Sequence, residues 1–446
     1  MNRREFLGTG AIAVAGLWLP RQRIRPVPSA AQLQWQRDEL AMFIHFGVNT
    51  FTNREWGDGK ELPSIFAPTK LDAGQWARTA KQAGFRALIL TAKHHDGFCL
   101  WPTKTTRHSV ASSPFRDGKG DVVREFVNAC RAEGLRPGLY LSPWDRNHPA
   151  YGDSPRYNDV YIAQLTELLT GYGPLAEVWF DGANGEGPNG KKQEYDWPRV
   201  WSTVRKLQPV AVMFSDAGPD VRWNGNENGV AGDPNWSSVD PARVPAPGVS
   251  GPGIVDALQH GDPAGSVWRP AEADVSIRPG WFYHPAEDAR VKTADQLVNL
   301  YLRSVGRNSK LLLNVPPTPE GLIHANDVAQ LSLMHTRLQA MFATDLASGR
   351  NVISVDGRVK EVTLPAPSPL GFVRLSEDIA RGQIVARYLV SGFDGSTWVD
   401  LSSGTTIGYA KIDRIVSTAT IQRVKVTVIE PEGRTPPVRV SAYAAA

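Results

Sequence analysis

Two acidic residues of this chain, Asp181 and Glu227, stand in settings from which a carboxylate can do chemistry. Asp181 directly follows a short apolar run that ends in Trp-Phe, and Glu227 lies in a stretch rich in asparagine and glycine close to Trp223. One carboxylate can attack an electrophilic carbon while a second protonates the leaving group. Taken singly, Asp181 is equally well explained as a helix N-cap, and Glu227 as a solvated loop residue. Other acidic residues could take the place of Glu227, namely Glu55, Asp216, Asp220 and Glu272.

Polar and aromatic side chains recur where four predicted strands end. Hydroxyl-rich ligands such as sugars need fixed donors and acceptors, and indole rings cover their apolar C–H patches. Each residue alone has an ordinary structural explanation, but four successive strand ends of the same character favour a sugar site. The residues are His45, Glu55, Trp56, His94, His95, Tyr140, Trp179 and Asp181. Because alternate residues of a strand share a face, Trp179 and Asp181 are expected to point to the same side.

The elements that must position these residues alternate between buried strands and amphipathic helices. Helix starts are indicated at Asp72, Asp121 and Thr293, and Gly84 and Gly134 mark two helix ends. No glycine-rich nucleotide turn follows the first strand, so an α/β fold of the (β/α)8-like TIM barrel type is favoured over a doubly wound sheet. Six strands are predicted, at 41–48, 87–92, 137–142, 176–180, 210–214 and 310–315. Strands six and seven are hard to place within 216–285, a stretch long for a loop.

After residue 346 the pattern changes to alternating strands with no helical period. The segment 347–446 is therefore predicted to be a C-terminal antiparallel β-sandwich, and the barrel is assigned to 32–346. The predicted strands are 359–364, 382–390, 397–401, 409–416 and 422–429.

Residues 1–31 have the layout of a twin-arginine (Tat) export signal. Arg3 and Arg4 precede an apolar stretch at 8–19 that is too short to span a bilayer, and small residues at 29–31 offer a cleavage site. The formal net charge of the chain is +4, and residues 1–31 alone carry +4, so the remainder is close to neutral. We therefore expect a bacterial protein, periplasmic or secreted, that uses the Tat machinery and has neither nucleic acid nor membrane as a partner after signal removal.

The only two cysteines are Cys99 and Cys130. Two residues cannot form a disulfide framework, nor can they supply a thiolate zinc site by themselves. A single bridge is possible in the periplasm. Because Tat substrates fold before export in a reducing cytosol, two free thiols are favoured.

The motifs His45-Phe46-Gly47, Glu55-Trp56, 93–98 (Lys-His-His-Asp-Gly-Phe) and 179–182 (Trp-Phe-Asp-Gly) resemble glycoside hydrolase family 29, the α-L-fucosidases. Many relatives have tryptophan where this chain has Phe46. The resemblance runs from about Trp35 to the end and implies a retaining exo-acting fucosidase without a cofactor. It places the nucleophile at Asp181, and it places fucose-binding residues at His45, Glu55, Trp56, His94, His95 and Tyr140.

The segment 222–227 (Arg-Trp-Asn-Gly-Asn-Glu) resembles the branch of the family that releases α-1,3- and α-1,4-linked fucose from branched oligosaccharides. This resemblance puts the acid/base at Glu227, with Arg222 and Trp223 beside the sugar. Trp56 and Trp281 are candidates for an apolar wall against the C6 methyl group. Positive or hydrogen-donating neighbours such as His94, His95 and Arg222 are expected to keep Asp181 ionised.

Two alternative functions remain compatible with the sequence. His45, His94, His95 and Asp181 could form the metal site of a metal-dependent barrel hydrolase, although adjacent histidines on an extended chain would face opposite sides. The chain could also be a non-catalytic fucose-binding protein, because fold alone does not fix function.

Overall fold

The computed structural model describes residues 25–349, 352–355, 358–433 and 438–445. Its first ten strands are β1 (Leu40–Ile44), β2 (Ala87–Lys93), β3 (Arg136–Leu141), β4 (Glu177–Trp179), β5 (Val212–Ser215), β6 (Val221–Trp223), β7 (Ser238–Val239), β8 (Val267–Trp268), β9 (Ala271–Ser276) and β10 (Ser309–Asn314). The α-helices are α1 (Ala30–Arg37), α2 (Val48–Thr52), α3 (Ala73–Gln82), α4 (Val122–Ala132), α5 (Ser154–Gly171), α6 (Trp197–Leu207), α7 (Ile254–His260), α8 (Ala294–Ser304) and α9 (Ala325–Met341).

Eight of these strands close into a barrel in the order β1-β10-β9-β6-β5-β4-β3-β2. Neighbouring strands run parallel all the way round. The pair β7–β8 forms a short antiparallel ribbon outside the barrel. Parallel strands that are covered by helices on the outside and filled by side chains on the inside must be apolar on both faces, and this explains the nearly continuous apolar runs. The predicted TIM barrel is confirmed.

The two strands that the sequence pattern left unplaced, β6 and β9, both lie within 216–285. A strand of three residues, Val221–Trp223, is too short to show a periodic pattern. In β9 the inward positions carry Glu272 and Asp274, so no apolar run marks the strand although all its residues are buried. The stretch therefore contains both missing barrel strands, and Glu227 lies in the segment that follows β6.

The predicted helix signals are confirmed by the caps. The side chains of Asp72 and Asp121 accept hydrogen bonds from backbone N–H groups in the first turns of α3 and α4. Thr293 forms a full capping box with Gln296 at the start of α8. Gly84 and Gly134, with φ of 87° and 72°, follow the last residues of α3 and α4 in the left-handed region that suits glycine.

The C-terminal part is a seven-stranded antiparallel unit with its own apolar core. Its strands are β11 (Val352–Val355), β12 (Val359–Glu377), β13 (Val385–Phe393), β14 (Trp398–Gly404), β15 (Lys411–Arg414), β16 (Thr420–Pro431) and β17 (Val438–Ala444). The first half of β12 pairs with β16 and the second half with β15 and β17, so one long strand serves both layers. The predicted antiparallel sandwich is confirmed, and the boundary at 346/347 lies between α9 and β11.

Of the predicted export signal, residues 1–24 lie outside the described residues. The segment that follows is part of the fold. Arg25 Nη1 donates to the carbonyl oxygen of Gln383 at 3.0 Å, and Ser29 is the N-cap of α1 with its partner Gln32. The predicted signal boundary at residue 31 falls within the first turn of α1, just behind its N-cap Ser29.

In the described part of the chain, no helix combines the length and apolar character that crossing a bilayer requires. Cys99 and Cys130 are both buried and free, as favoured from the sequence. Burial raises the pKa of the Cys99 thiol well above its ordinary value, which leaves it protonated and unreactive.

Candidate active site

A cavity of about 440 Å³ opens at the carboxyl ends of the barrel strands. Its lining contains nine of the predicted site residues together with Asp181, which are His45, Glu55, Trp56, His94, His95, Tyr140, Trp179, Glu227 and Trp281. A smaller hollow of about 130 Å³ shares Asp181, Glu227 and Trp179 with it and adds Trp223. The size suits a small ligand, and the combined lining of indole, imidazole and carboxyl groups suits a sugar.

Asp181 lies two residues beyond the end of β4, and its side chain is 28% exposed to the cavity. Its Oδ1 accepts a hydrogen bond from the backbone N–H of Ala183 at 2.7 Å, and its Oδ2 accepts one from the Tyr140 hydroxyl at 3.2 Å. Burial raises the pKa of Asp181 above its ordinary value, while these two hydrogen bonds pull it down. The carboxylate is thus held by two donors and remains open on one side.

Glu227 faces Asp181 from the segment after β6. Its Oε2 accepts a hydrogen bond from the indole N–H of Trp281 at 3.3 Å. Burial raises the pKa of Glu227, and the negative charges of Asp181 and Glu55 raise it further. A carboxyl group whose neutral form is favoured in this way is suited to donate a proton.

Glu55 lines the cavity, but both of its carboxylate oxygens form hydrogen bonds with other groups of the protein. Oε2 accepts from the backbone N–H of Trp281 at 2.7 Å. Oε1 accepts from the N–H of Phe282 at 3.1 Å and lies 2.6 Å from His284 Nε2. The carboxylate therefore anchors the segment that carries Trp281, the hydrogen-bond partner of Glu227.

The three histidines of the cavity are neutral. Burial lowers the pKa of His45 to about 3, against the opposing effect of its hydrogen bond to Asn314 at 2.8 Å. Burial also lowers the pKa of His95 to about 3, and the charges of Arg146 and Lys93 add to the effect. The pKa of His94 falls well below its ordinary value for the same first reason. Neutral imidazoles can donate and accept hydrogen bonds with sugar hydroxyl groups.

His94 and His95 do not point to opposite sides, so that expectation is wrong. Their ring centroids lie only 4.1 Å apart, and both rings line the cavity. The strand ends at Lys93, and a turn closed by the bond from Gly97 N–H to His94 O follows. Strand alternation therefore no longer applies at these two positions. His95 Nε2 lies 4.0 Å from Asp181 Oδ2, which brings it within reach of the same ligand.

Two tryptophans mark the floor and the rim. Trp179 is stacked on Phe214 at 4.1 Å between ring centroids, and its N–H donates to Glu272 Oε1 at 3.0 Å. It shares the cavity with Asp181, as strand alternation predicts. Trp56 is 58% exposed and meets the ring of His95 edge-on at 6.0 Å, so it forms a rim that a ligand can cover.

Arg222 does not lie beside the cavity, in contrast to the expectation from the sequence. Its guanidinium is buried on the far side of β6, where it donates to the carbonyl oxygens of Leu258 and Arg269 and to the side chain of Asn235. Trp223, the next residue, points the opposite way into the smaller hollow. Adjacent residues of a strand face opposite sides, so only one of the two can reach the ligand.

The other acidic residues that the sequence offers as catalytic candidates lie in different surroundings. Asp220 is bound by Arg205 at 2.6 Å, and Glu272 lies inside the barrel with Trp179 and Lys310. Asp216 lines the smaller hollow and accepts from the backbone N–H of Gly248 at 3.0 Å. Neither Asp220 nor Glu272 lines either hollow.

One acidic residue of the cavity was missed. Asp274 lines both hollows, and its Oδ1 accepts from the indole N–H of Trp223 at 2.7 Å. Glu272 is one of the acidic candidates from the sequence, and Asp274 lies two positions later on the same face of β9, a strand that no apolar run marks. The described residues contain no group of three or more His, Cys, Asp or Glu side chains arranged to hold a metal ion.

A family model described as "Alpha-L-fucosidase" matches residues 25–340 of the chain. The chain belongs to the α-L-fucosidases of glycoside hydrolase family 29. It is 43% identical over 437 residues to "Alpha-L-fucosidase 1" of Arabidopsis thaliana, covering 91% of this chain and 85% of that protein.

Solved structures agree with this assignment. A glycoside hydrolase 29 family member from an unknown rumen bacterium superposes with a TM-score of 0.88 at 40% identity, covering 95% of this chain and 78% of that one. A Ruminococcus gnavus GH29 fucosidase in complex with fucose gives a TM-score of 0.83 at 31% identity, covering 94% and 95%. The enzyme is thus an α-L-fucosidase glycoside hydrolase with a barrel and a C-terminal β-domain, and a non-catalytic binding protein is not favoured.

Proposed function

We propose that the enzyme removes terminal α-linked L-fucose with retention of configuration, with Asp181 as the nucleophile and Glu227 as the acid/base. One observation carries the proposal: both carboxyl groups open onto a single cavity at the carboxyl ends of the barrel strands. Barrel enzymes place their catalytic groups at this end. Two carboxyl groups that flank a glycosidic bond suffice for a double displacement.

In the first step Asp181 attacks the anomeric carbon while the bond to the leaving oxygen breaks, and Glu227 gives its proton to that oxygen. In the second step Glu227 takes a proton from water, whose oxygen attacks the same carbon and displaces Asp181. The hydrogen bonds from Ala183 N–H and Tyr140 to Asp181 hold the carboxylate in place for the attack. The raised pKa of Glu227 supports its role as the acid.

The remaining cavity residues are proposed to bind fucose. The neutral rings of His45, His94 and His95 offer hydrogen-bonding nitrogens to the sugar hydroxyl groups. Trp281 and the exposed Trp56 are proposed to form the apolar wall against the C6 methyl group. Two residues leave the sequence-based set of fucose-binding residues. Arg222 lies outside the cavity, and Glu55 binds the segment that carries Trp281.

Azide rescue tests both roles in one experiment. In Asp181→Gly, azide can take the place of the missing carboxylate and should give a fucosyl azide of inverted configuration. In Glu227→Gly with an activated aryl fucoside, the fucosyl-enzyme still forms, and azide should then give the retained product. Asp216→Asn serves as a control, because it alters another carboxyl of the smaller hollow. Turnover without azide in Asp181→Gly would overturn the assignment.

The leaving group is proposed to be a branched oligosaccharide in which fucose is α-1,3- or α-1,4-linked. Support comes from the segment 222–227 and from the smaller hollow beyond Asp181 and Glu227, which leaves room past a single sugar. Product analysis on a Lewis-type trisaccharide beside 2′-fucosyllactose tests this preference. Release of fucose from the α-1,2 substrate at an equal rate would contradict it.

Export is proposed for the full chain, through the twin-arginine pathway to the periplasm or beyond. The support lies in Arg3 and Arg4 and the apolar stretch that follows them. Replacing both arginines with lysine should retain the enzyme in the cytoplasm of a bacterial host, as measured by fractionation and activity. Unchanged export of that variant would contradict the proposal.

A further inference from the structure

Strand β9 supports the cavity with three inward-facing residues. Glu272 accepts from the indole N–H of Trp179, and Asp274 accepts from that of Trp223 at 2.7 Å. Ser276 donates to the carbonyl oxygen of Gly280 at 2.6 Å and so ties down the segment that leads to Trp281. Of the three, only Asp274 faces both hollows, and no step proposed so far uses it.

Asp274 is surrounded by acids. Glu227 faces it from the segment after β6, Asp181 from the end of β4, and Glu272 from its own strand. It is 4% exposed, and the described residues provide it with no ion-pair partner. Trp223 donates a hydrogen bond to Oδ1 of Asp274, and Asp274 lines the same two hollows as Glu227.

Two carboxyl groups in one poorly hydrated hollow cannot both ionise without a large electrostatic cost. Burial first, and then the charge of Glu227, raises the pKa of Asp274 well above its ordinary value. Interacting groups of this kind lose their protons in two steps that belong to the pair and not to either residue. The first proton leaves easily, and the second is retained to a higher pH.

We propose that Asp274 and Glu227 hold one proton between them in the resting enzyme, so that Asp274 keeps the acid function available to higher pH. When Glu227 takes this proton from Asp274, the charge of the pair stays at minus one, and Glu227 passes the proton to the leaving oxygen. Asp274 thus acts through Glu227, by sharing its proton, and does not itself contact the anomeric carbon. The inference rests on the proposed role of Glu227.

The test is the pH profile of kcat/KM for Asp274→Asn with an unactivated fucoside. Asparagine keeps an oxygen that can accept from Trp223, so folding and the acid side of the profile should be preserved. On the alkaline side, kcat/KM of the variant should begin to fall at a lower pH than that of the wild type. A shift of this limb by about one pH unit corresponds to a kcat/KM about tenfold lower than that of the wild type at the same alkaline pH. Coincident alkaline limbs would overturn the inference.

Two further variants separate the possible failures. Asp216→Asn changes a carboxyl whose charged neighbour is Asp181, so its alkaline limb should stay in place. Glu227→Gln should abolish the alkaline limb. If Glu227→Gln retains the alkaline limb, the proposed acid/base role of Glu227 is wrong. If Glu227→Gln loses the limb but Asp274→Asn leaves it unmoved, the role of Glu227 stands and the shared proton is wrong.

If Asp274→Asn does not fold, infrared spectra of the folded wild type and Glu227→Gln supply the second measurement. The band of the protonated Asp274 carboxyl should titrate at lower pH in Glu227→Gln, because the neighbouring charge is gone. Equal midpoints in the two proteins would overturn the inference.

Discussion

The hydroxyl group of Tyr140 donates to Oδ2 of Asp181 at 3.2 Å. This hydrogen bond connects β3 with the segment directly after its neighbour β4, at the carboxyl ends of the barrel strands. Tyr140 is buried at the inner face of β3, and its own pKa is raised well above the ordinary value. The hydroxyl therefore stays protonated and serves as a permanent donor to the carboxylate.

Replacing Tyr140 with phenylalanine should raise the pKa of Asp181, because this hydrogen bond lowers it. The acid limb of the kcat/KM profile should move to higher pH, and activity at the optimum should fall about tenfold, the typical loss for a hydrogen bond to a charged group. Tyr161→Phe is the matched control, because the Tyr161 hydroxyl donates to Leu141 O and not to Asp181. An acid limb that does not move in Tyr140→Phe would contradict the role of Tyr140.

Glu55→Gln should weaken catalysis through the Trp281 segment. An amide offers one acceptor oxygen where the carboxylate uses both, so the N–H group of Trp281 or that of Phe282 loses its partner. We expect kcat/KM to fall about tenfold, since an unsatisfied buried donor costs 1–3 kcal/mol. The control is Glu287→Gln, which alters another carboxylate bound to this segment, at Gly280 N–H, and does not line the cavity. Equal activity of both variants would contradict an anchoring role for Glu55.

Arg222→Met should destabilise the protein without weakening fucose binding. Three acceptors, namely Leu258 O, Arg269 O and the Asn235 side chain, lose their donor in a buried site. A loss of about 3 kcal/mol in the free energy of unfolding is expected, measured by denaturant titration. The KM of the folded variant should stay within about twofold of the wild type, because the arginine lies outside the cavity. A raised KM with unchanged stability would restore the arginine to the sugar site.

The buried histidines make the fold sensitive to acid. The pKa values of His45 and His95 are lowered to about 3 from 6.5, so the unfolded chain binds protons below pH 6.5 that the folded chain does not. Stability is therefore complete above pH 6.5 and falls as the pH drops towards 3. At pH 5 each histidine should cost about 2 kcal/mol.

The predicted loss of stability at low pH can be tested by comparing the free energy of unfolding of His95→Asn with that of the wild type, in denaturant titrations at pH 7 and pH 5. The variant should lose less stability than the wild type between the two values, because it lacks one of the titrating groups. Asparagine can still form a hydrogen bond with Ser142, the partner of His95 Nδ1 at 2.7 Å. Parallel losses in both proteins would show that His95 is not neutral in the fold.

The sequence by itself determined the family, the barrel with its C-terminal β-domain, the caps of α3, α4 and α8, and most of the cavity lining. These features depend on local patterns: apolar runs, cap residues, and side chains placed directly after a strand. They can be predicted without knowing which residues pack against them in the fold, because each is determined by the backbone geometry of a few consecutive residues.

Only the tertiary structure decided which way the residues of short or irregular strands face. Arg222 turns outward and Trp223 inward because adjacent residues of β6 face opposite sides, and this strand of three residues is too short to be recognised from the sequence. His94 and His95 share a side because the chain has already left β2. The protonation of the cavity groups was decided there too. The pKa of Asp274 depends on Glu227 and Asp181, which lie far away in the sequence and meet it only when the barrel closes.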